Sequence, residues 1–161
     1  MRALNPLEAA VAVAVAGSVL AVVIPSFVRN VHASYVSEAT RGISEIAARA
    51  AAKLEAEQVT SALPDSAPLT PANVPRGTRV TDPPGTWEHP TWRALGFQLD
   101  TAHAYSFAFD ADRTPELAKF KVHAHGDLDG DAVLSTIQID GSFKPGTATE
   151  LSAMDVQHEI E

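Results

Sequence analysis

"NPLEAAVAVAVAGSVLAVVIPSFVRN", Asn5 to Asn30, decides how the rest of the chain is read. A carboxylate, Glu8, stands in front of residues 9 to 28, which carry no charge, and Pro25 stands near their far end. As a helix, the run Ala9 to Val28 extends about 30 Å, the thickness of a bilayer's hydrocarbon core. Its many alanines make it less apolar than a leucine-rich span, so weaker insertion is expected than length alone suggests. A cleaved secretory signal would share the base at Arg2 and the apolar run. Two features oppose that reading: the acid between the basic end and the run, and Pro25-Ser26-Phe27 leading on into helical sequence.

From Val28 the helical pattern continues. Val28, Val31, Tyr35, Ala39, Ile43, Ile46, Ala50 and Leu54 recur every three or four residues and fall on one stripe. Arg29, Glu38, Arg41, Glu45, Arg49, Lys53 and Glu57 occupy the other faces, with Glu45 and Arg49 spaced as a favourable pair one turn apart. The expectation is one helix of about 55 residues, about 80 Å long, ending near Ser61. A small head cannot bury all of it, so the apolar half needs lipid or other subunits.

Between Pro64 and Pro90 lie seven prolines, among them Pro83-Pro84 before Gly85, which predicts a loop or extended connector. The period then changes to two. "HAYSFAFD" (His103 to Asp110) sets Tyr105, Phe107 and Phe109 on one face. "LAKFKVHAH" (Leu117 to His125) opposes Ala118, Phe120, Val122 and Ala124 to Lys119, Lys121, His123 and His125. "AVLSTIQID" (Ala132 to Asp140) aligns Val133, Ser135, Ile137 and Ile139. Three strands, with a short Gly-Asp turn between the last two, predict an antiparallel sheet able to pack on the amphipathic half of the helix. The expected class is α+β. The expected organisation is a short leader over 1–3, the long helix over 4–60 with its membrane segment at 9–28, a Pro-rich connector over 61–100, and a sheet head with an acidic tail over 101–161.

The 161 residues and 17.0 kDa leave room for one modest domain plus an anchor. A formal net charge of -8 and a pI near 5.1 argue against a nucleic-acid partner, which would call for a basic face. The chain has no cysteine, which removes disulfides, thiol catalysis and thiolate-bound metals.

The stretch "LNPLEAAVAVAVAGSVLAVVIPSFV" resembles the type IV pilin family, including the pseudopilins of type II secretion. In that family the mature chain begins four residues before a glutamate, a glycine follows the glutamate by nine, and a proline follows the glycine by eight. Here the series is Leu4, Glu8, Gly17 and Pro25. Ala3 stands where the family's peptidase normally takes glycine, and Leu4 replaces the usual phenylalanine. The resemblance covers about the first 55 residues and is architectural beyond them. It implies processing between Ala3 and Leu4, with methylation of the new amine. It also implies pairing of Glu8 with such an amine in a packed filament, and a segment around Pro25 that unwinds on packing. A plainer role for Glu8 is open beside this one. Asn5 as N-cap, Pro6 at the first helical position and Glu8 at the third form a capping box. Gly17 either admits close helix approach or is one small residue in an alanine-rich run.

Other chemistry is sparse. Asp127, Asp129 and Asp131 in "GDLDGD" resemble the first half of a calcium loop, but lack the glutamate that would complete an EF-hand and more simply suit an ion-free turn, so no cofactor is expected beyond this calcium alternative. His123 and His125 share a strand face and could hold zinc with a third ligand such as His103, although such a face is more often simply solvated. Ser135 has no nucleophile elbow, and there is no Gly-rich phosphate loop, so no enzyme is expected. Trp87 and Trp92 read as packing anchors over the helix.

The expected function is a structural subunit of a type IV pilus-like filament, assembled through the N-terminal helix. The expected partners are other such subunits, membrane lipid, the inner-membrane assembly machinery and prepilin peptidase. The expected location is the bacterial inner membrane, with the head in the periplasm, and then an extracellular filament. The alternatives are a type II secretion pseudopilin, or a monomeric membrane-tethered periplasmic binding protein with a calcium site at Asp127 to Asp131.

Overall fold

The computed structural model describes residues 5–158, apart from the side chains at 28 and 29. The expected processing residues Ala3 and Leu4, and the side chain of Val28 that opens the predicted stripe, lie outside the described residues. Helix α1 spans Pro6–Glu57 as one continuous element of 52 residues, about 78 Å long. It ends four residues earlier than expected. Gln58 turns into the left-handed conformation (φ 56°), its N–H closes on Leu54 O at 2.8 Å, and a separate 3-10 turn follows at Thr60–Ala62.

The strands are β1 (Ala67–Thr70), β2 (Ser106–Arg113), β3 (Ala118–Gly126), β4 (Ser135–Phe143), β5 (Glu150–Leu151) and β6 (Asp155–Gln157), with a short helix α2 (Pro90–Leu95) between β1 and β2. They form one antiparallel sheet in the order β1-β2-β3-β4-β5, and β6 also pairs with β4. This is the α+β architecture the periodicities predict, with α1 laid across β3 and β4.

The alternation in the sequence sets the inner face. Phe107 and Phe109 of β2, Phe120, Val122 and Ala124 of β3, and Ile137, Ile139 and Phe143 of β4 are buried under Ile43, Ile46, Ala47, Ala50 and Leu54 of α1. Each fully buried Ile, Leu or Phe contributes about 1.5–3 kcal/mol. The helix sits close because Gly42 has no side chain: a Cβ there would meet the Phe107 ring at 2.7 Å.

Two strands begin later than the sequence pattern suggests. His103 makes only an isolated bridge with Val80, so β2 starts at Ser106. Val133 is exposed and β4 starts at Ser135, because the Val133 N–H is bonded to Asp131 Oδ1 at 2.7 Å and Ala132 adopts φ 76°. That backbone serves the turn and cannot join the ladder.

Residues 61–100 are more structured than their prolines imply. They supply the 3-10 turn, β1 and α2, and bury Leu63, Ala67, Trp87, Trp92, Leu95 and Phe97 in the core. Trp87 and Trp92 meet edge to face at 5.6 Å and both bond inward, Trp92 Nε1 donating to Thr70 Oγ1 (2.9 Å) and Trp87 Nε1 to Asp82 Oδ2 (2.8 Å). They are packing anchors, as the sequence suggested. Arg49 pairs with Glu45 as expected and also donates to Leu95 O at 3.0 Å, fastening the end of α2 to α1.

Gly42→Val tests the helix seat. The branched side chain must displace Phe107, so a loss of about 1–3 kcal/mol is expected in chemical denaturation, with the helix content of the folded state retained. An unchanged midpoint would mean that the helix and sheet do not approach as described.

Candidate functional site

The candidate site begins with the half of α1 that the head does not cover. From Leu7 to Phe27 this helix carries no charge except Glu8 and stands bare: Leu7 is 72% exposed, Val13 73% and Phe27 67%. It is the one helix among the described residues long and apolar enough to cross a membrane, judged by length and composition. No residue of its most apolar 18-residue window is buried within the chain.

At its start, Asn5 and Glu8 form the reciprocal capping box. Asn5 Oδ1 accepts from Glu8 N (2.8 Å), and Glu8 Oε2 accepts from Asn5 N (2.9 Å). Two amide donors that the helix geometry orphans are thereby satisfied, and the carboxylate lies at the positive end of the helix dipole. Gly17 has no neighbour within 4 Å where a Cβ would stand, leaving an open notch on the helix. Pro25 lies inside α1, and the helix runs on through it. Proline lacks an N–H, so the carbonyl of Ala21 loses its helical donor. One residue on, Ser26 Oγ donates to Val22 O at 2.9 Å.

In the head, Asp127, Asp129 and Asp131 gather in the β3–β4 loop with one carboxylate oxygen from each lying within 4.8 Å of the others. Asp127 is buried, and its two oxygens accept from Gly130 N (2.8 Å) and Ala132 N (3.2 Å). Arg76 Nε stands 3.6 Å from the same carboxylate. Asp129 accepts from Asp131 N (3.0 Å), and Asp131 from Val133 N. Each carboxylate already orders the loop backbone, as Asx turns do without an ion. Hard oxygen ligands of this kind suit calcium, with Asp129 and Asp131 on the exposed side.

His103 does not join His123 and His125. It is buried against Trp87, with Nδ1 at 2.7 Å from Tyr105 O and Nε2 at 2.9 Å from Asp82 Oδ2, so both ring nitrogens are engaged. The suggested third zinc ligand is a core residue. His123 and His125 stay together on the outer face of β3, with ring centroids 5.1 Å apart. Burial first, and the neighbouring His123 second, push the His125 imidazole below its ordinary range. Ser135 is buried and accepts a bond from Tyr105 Oη at 2.9 Å, which leaves no exposed nucleophile there.

The sequence offered no signal for the polar links that tie distant segments to α1. Glu38 pairs with Arg79 and accepts from Ala104 N (3.2 Å), and Glu55 accepts from Thr149 N (2.7 Å). These partners lie 41, 66 and 94 positions apart, beyond any local pattern.

Two outcomes follow for the head. Asp127→Ala strands the amides of Gly130 and Ala132 and should destabilise the head by about 1–3 kcal/mol in urea; a loss below a few tenths would mean the loop does not depend on this carboxylate. His125 has a depressed folded pKa, so the unfolded chain binds its proton first as pH falls through 6.5. Its contribution to stability is intact above that pH and declines below it until the folded imidazole also protonates. Imidazole NMR should therefore show His125 titrating below 6.5, and His125→Gln should flatten the acid side of the melting-temperature profile.

Compared with known proteins, the chain matches no family model, no curated protein and no solved structure.

Proposed function

We propose that this chain is a structural subunit of a type IV pilus-like filament, held in a membrane by the first half of α1 and later packed through that same half. The observation that carries the reading is a long apolar helix surface with no cover of its own, rising from a head that is already complete on the other half of the helix. Lipid tails and neighbouring copies of the same helix are the two surroundings that make such a surface stable. The spacing of Leu4, Glu8, Gly17 and Pro25 supports the same reading, and the carboxylate at Glu8 chooses between an inert anchor and an assembling one.

A carboxylate carried into hydrocarbon costs about 2.5 kcal/mol or more unless it is partnered. In the free chain Glu8 bonds to the Asn5 amide, a neutral donor that offsets part of that cost. A processed α-amine at Leu4 of a neighbouring subunit would be a charged partner and would exchange for the cap, setting the axial stagger of one helix on the next. Gly17 gives a place where helices approach closely. Pro25 gives a point where the helix can stretch at little loss of bonding.

Before assembly, Arg2 lies on the cytoplasmic side and the head in the periplasm of a bacterial inner membrane. Processing between Ala3 and Leu4 calls for a prepilin peptidase, and extraction calls for an inner-membrane assembly machine. The acidic head limits unspecific clumping of displayed copies. Its role is structural, with no catalytic step and no nucleic-acid partner. A type II secretion pseudopilin would use the same helix in the same way.

Glu8→Ala tests this function. The head should melt at the wild-type temperature, the protein should still fractionate with membranes, and filaments sheared from cells should fall at least tenfold. Native protein should begin at Leu4 with a methylated amine by intact mass. Filaments at wild-type yield with Glu8→Ala would sink the proposal, as would a native chain cut beyond Ser26.

A further inference from the structure

We propose that His123 and His125 form a binding site for one divalent transition-metal ion on the outer face of the sheet, with water completing the coordination. The site is separate from the assembling helix and does not depend on the filament reading.

The strand period places both imidazoles on the solvent side of β3, two residues apart. Cross-strand register puts small residues beside them on β2, Ser106 opposite His125 and Ala108 opposite His123. Both small residues are themselves buried, so that flank of the pair is packed and the rings are only partly exposed. Both histidines are half-buried, which narrows the positions their rings can adopt.

The ring separation suits a shared ion. A metal about 2.0 Å from one nitrogen of each imidazole sets the two centroids about 4.5 to 5.2 Å apart, for angles from square-planar to tetrahedral. The observed centroids are 5.1 Å apart, at the tetrahedral end, and the ring planes are tilted by 51°.

The Nδ1 atom of each ring faces an oxygen on a neighbouring strand. His125 Nδ1 lies 2.9 Å from Thr136 Oγ1 on β4. His123 Nδ1 lies 3.5 Å from Asp110 Oδ2 on β2. Binding through Nε2 selects the Nδ1–H form of each ring, for which Thr136 Oγ1 is the acceptor at His125, while the Asp110 carboxylate lies in ion-pair range of His123. Metal-bound histidines characteristically donate their other N–H to such groups, which fixes the ring and raises its basicity. No protein group among the described residues hydrogen-bonds either Nε2. The nearby cation Lys121 is drawn toward Asp140, at 3.6 Å.

Two neutral imidazoles with water favour the borderline ions zinc, nickel and copper over calcium or magnesium. The oxygen-only Asp127–Asp131 loop has the opposite preference. The head thus presents two ligand sets of different hardness, on one strand and on the loop that leaves it.

The test is zinc(II) added to the full chain in detergent micelles at pH 7.5, followed by calorimetry and by long-range imidazole 15N NMR. One equivalent should move the Nε2 resonances of both histidines while Nδ1 stays protonated. His123→Gln and His125→Gln, which keep polar side chains at exposed strand positions, should each weaken binding at least tenfold with the near-UV circular dichroism unchanged. Thr136→Val keeps both rings and removes one acceptor, and should weaken binding about tenfold. The proposal is overturned if only one Nε2 responds, if affinity survives either histidine substitution, or if zinc binding is lost with Asp127→Asn and kept in both histidine variants.

Discussion

One helix serving two surroundings is the constraint on which this structure depends. A helix gains its stability from the faces it buries and has little to spare as an isolated segment. Here Ile43, Ile46, Ala47, Ala50 and Leu54 bury completely against the sheet, and that contact holds the second half of α1 in place. The first half grows from it as an uninterrupted continuation, already helical and capped at Asn5 and Glu8. Its apolar surface is consequently presented as a stiff rod. A flexible tail of the same composition would have to lose its chain entropy on entering lipid or a helical array.

The head is organised to keep that rod firmly attached. Three long strands provide the apolar bed. Polar side chains on α1 then collect the loops around it: Glu38 takes the backbone before β2, Arg49 the end of α2, and Glu55 the segment leading to β5. These bonds reach backbone groups in loops, where they satisfy donors and acceptors that no strand would pair. The short strands β5 and β6 lie end to end on the outer edge of β4, so the final part of the described chain is tied to the same sheet.

Chemistry in the head is displayed away from the rod. The inner face of the sheet is spent on packing, which leaves the outer face and the β3–β4 loop for polar groups. On the proposed reading the tasks divide along the length of the chain, the bare helix serving anchoring and packing and the head presenting its polar groups to solvent.

Much of this was legible in the chain itself. The run from Ala9 to Val28, the stripe from Tyr35 to Leu54 and the alternation in "LAKFKVHAH" are local periodic patterns, and each side chain's face follows from its position along a regular backbone. The capping box at Asn5 and Glu8 was equally local. What only the tertiary structure decided is which distant groups meet. Prolines at 64 to 90 signalled a connector over 61–100, yet burial of Trp87, Trp92 and Phe97 makes that connector part of the core. His103 looked equivalent to His123 and His125 until Asp82, 21 positions away, engaged it in the interior. The start of β4 moved because the aspartates of one turn took its backbone amides. Local pattern determines the conformation and the face of a residue. Partnership between residues far apart depends on how the elements pack, and no local repeat in the sequence encodes it.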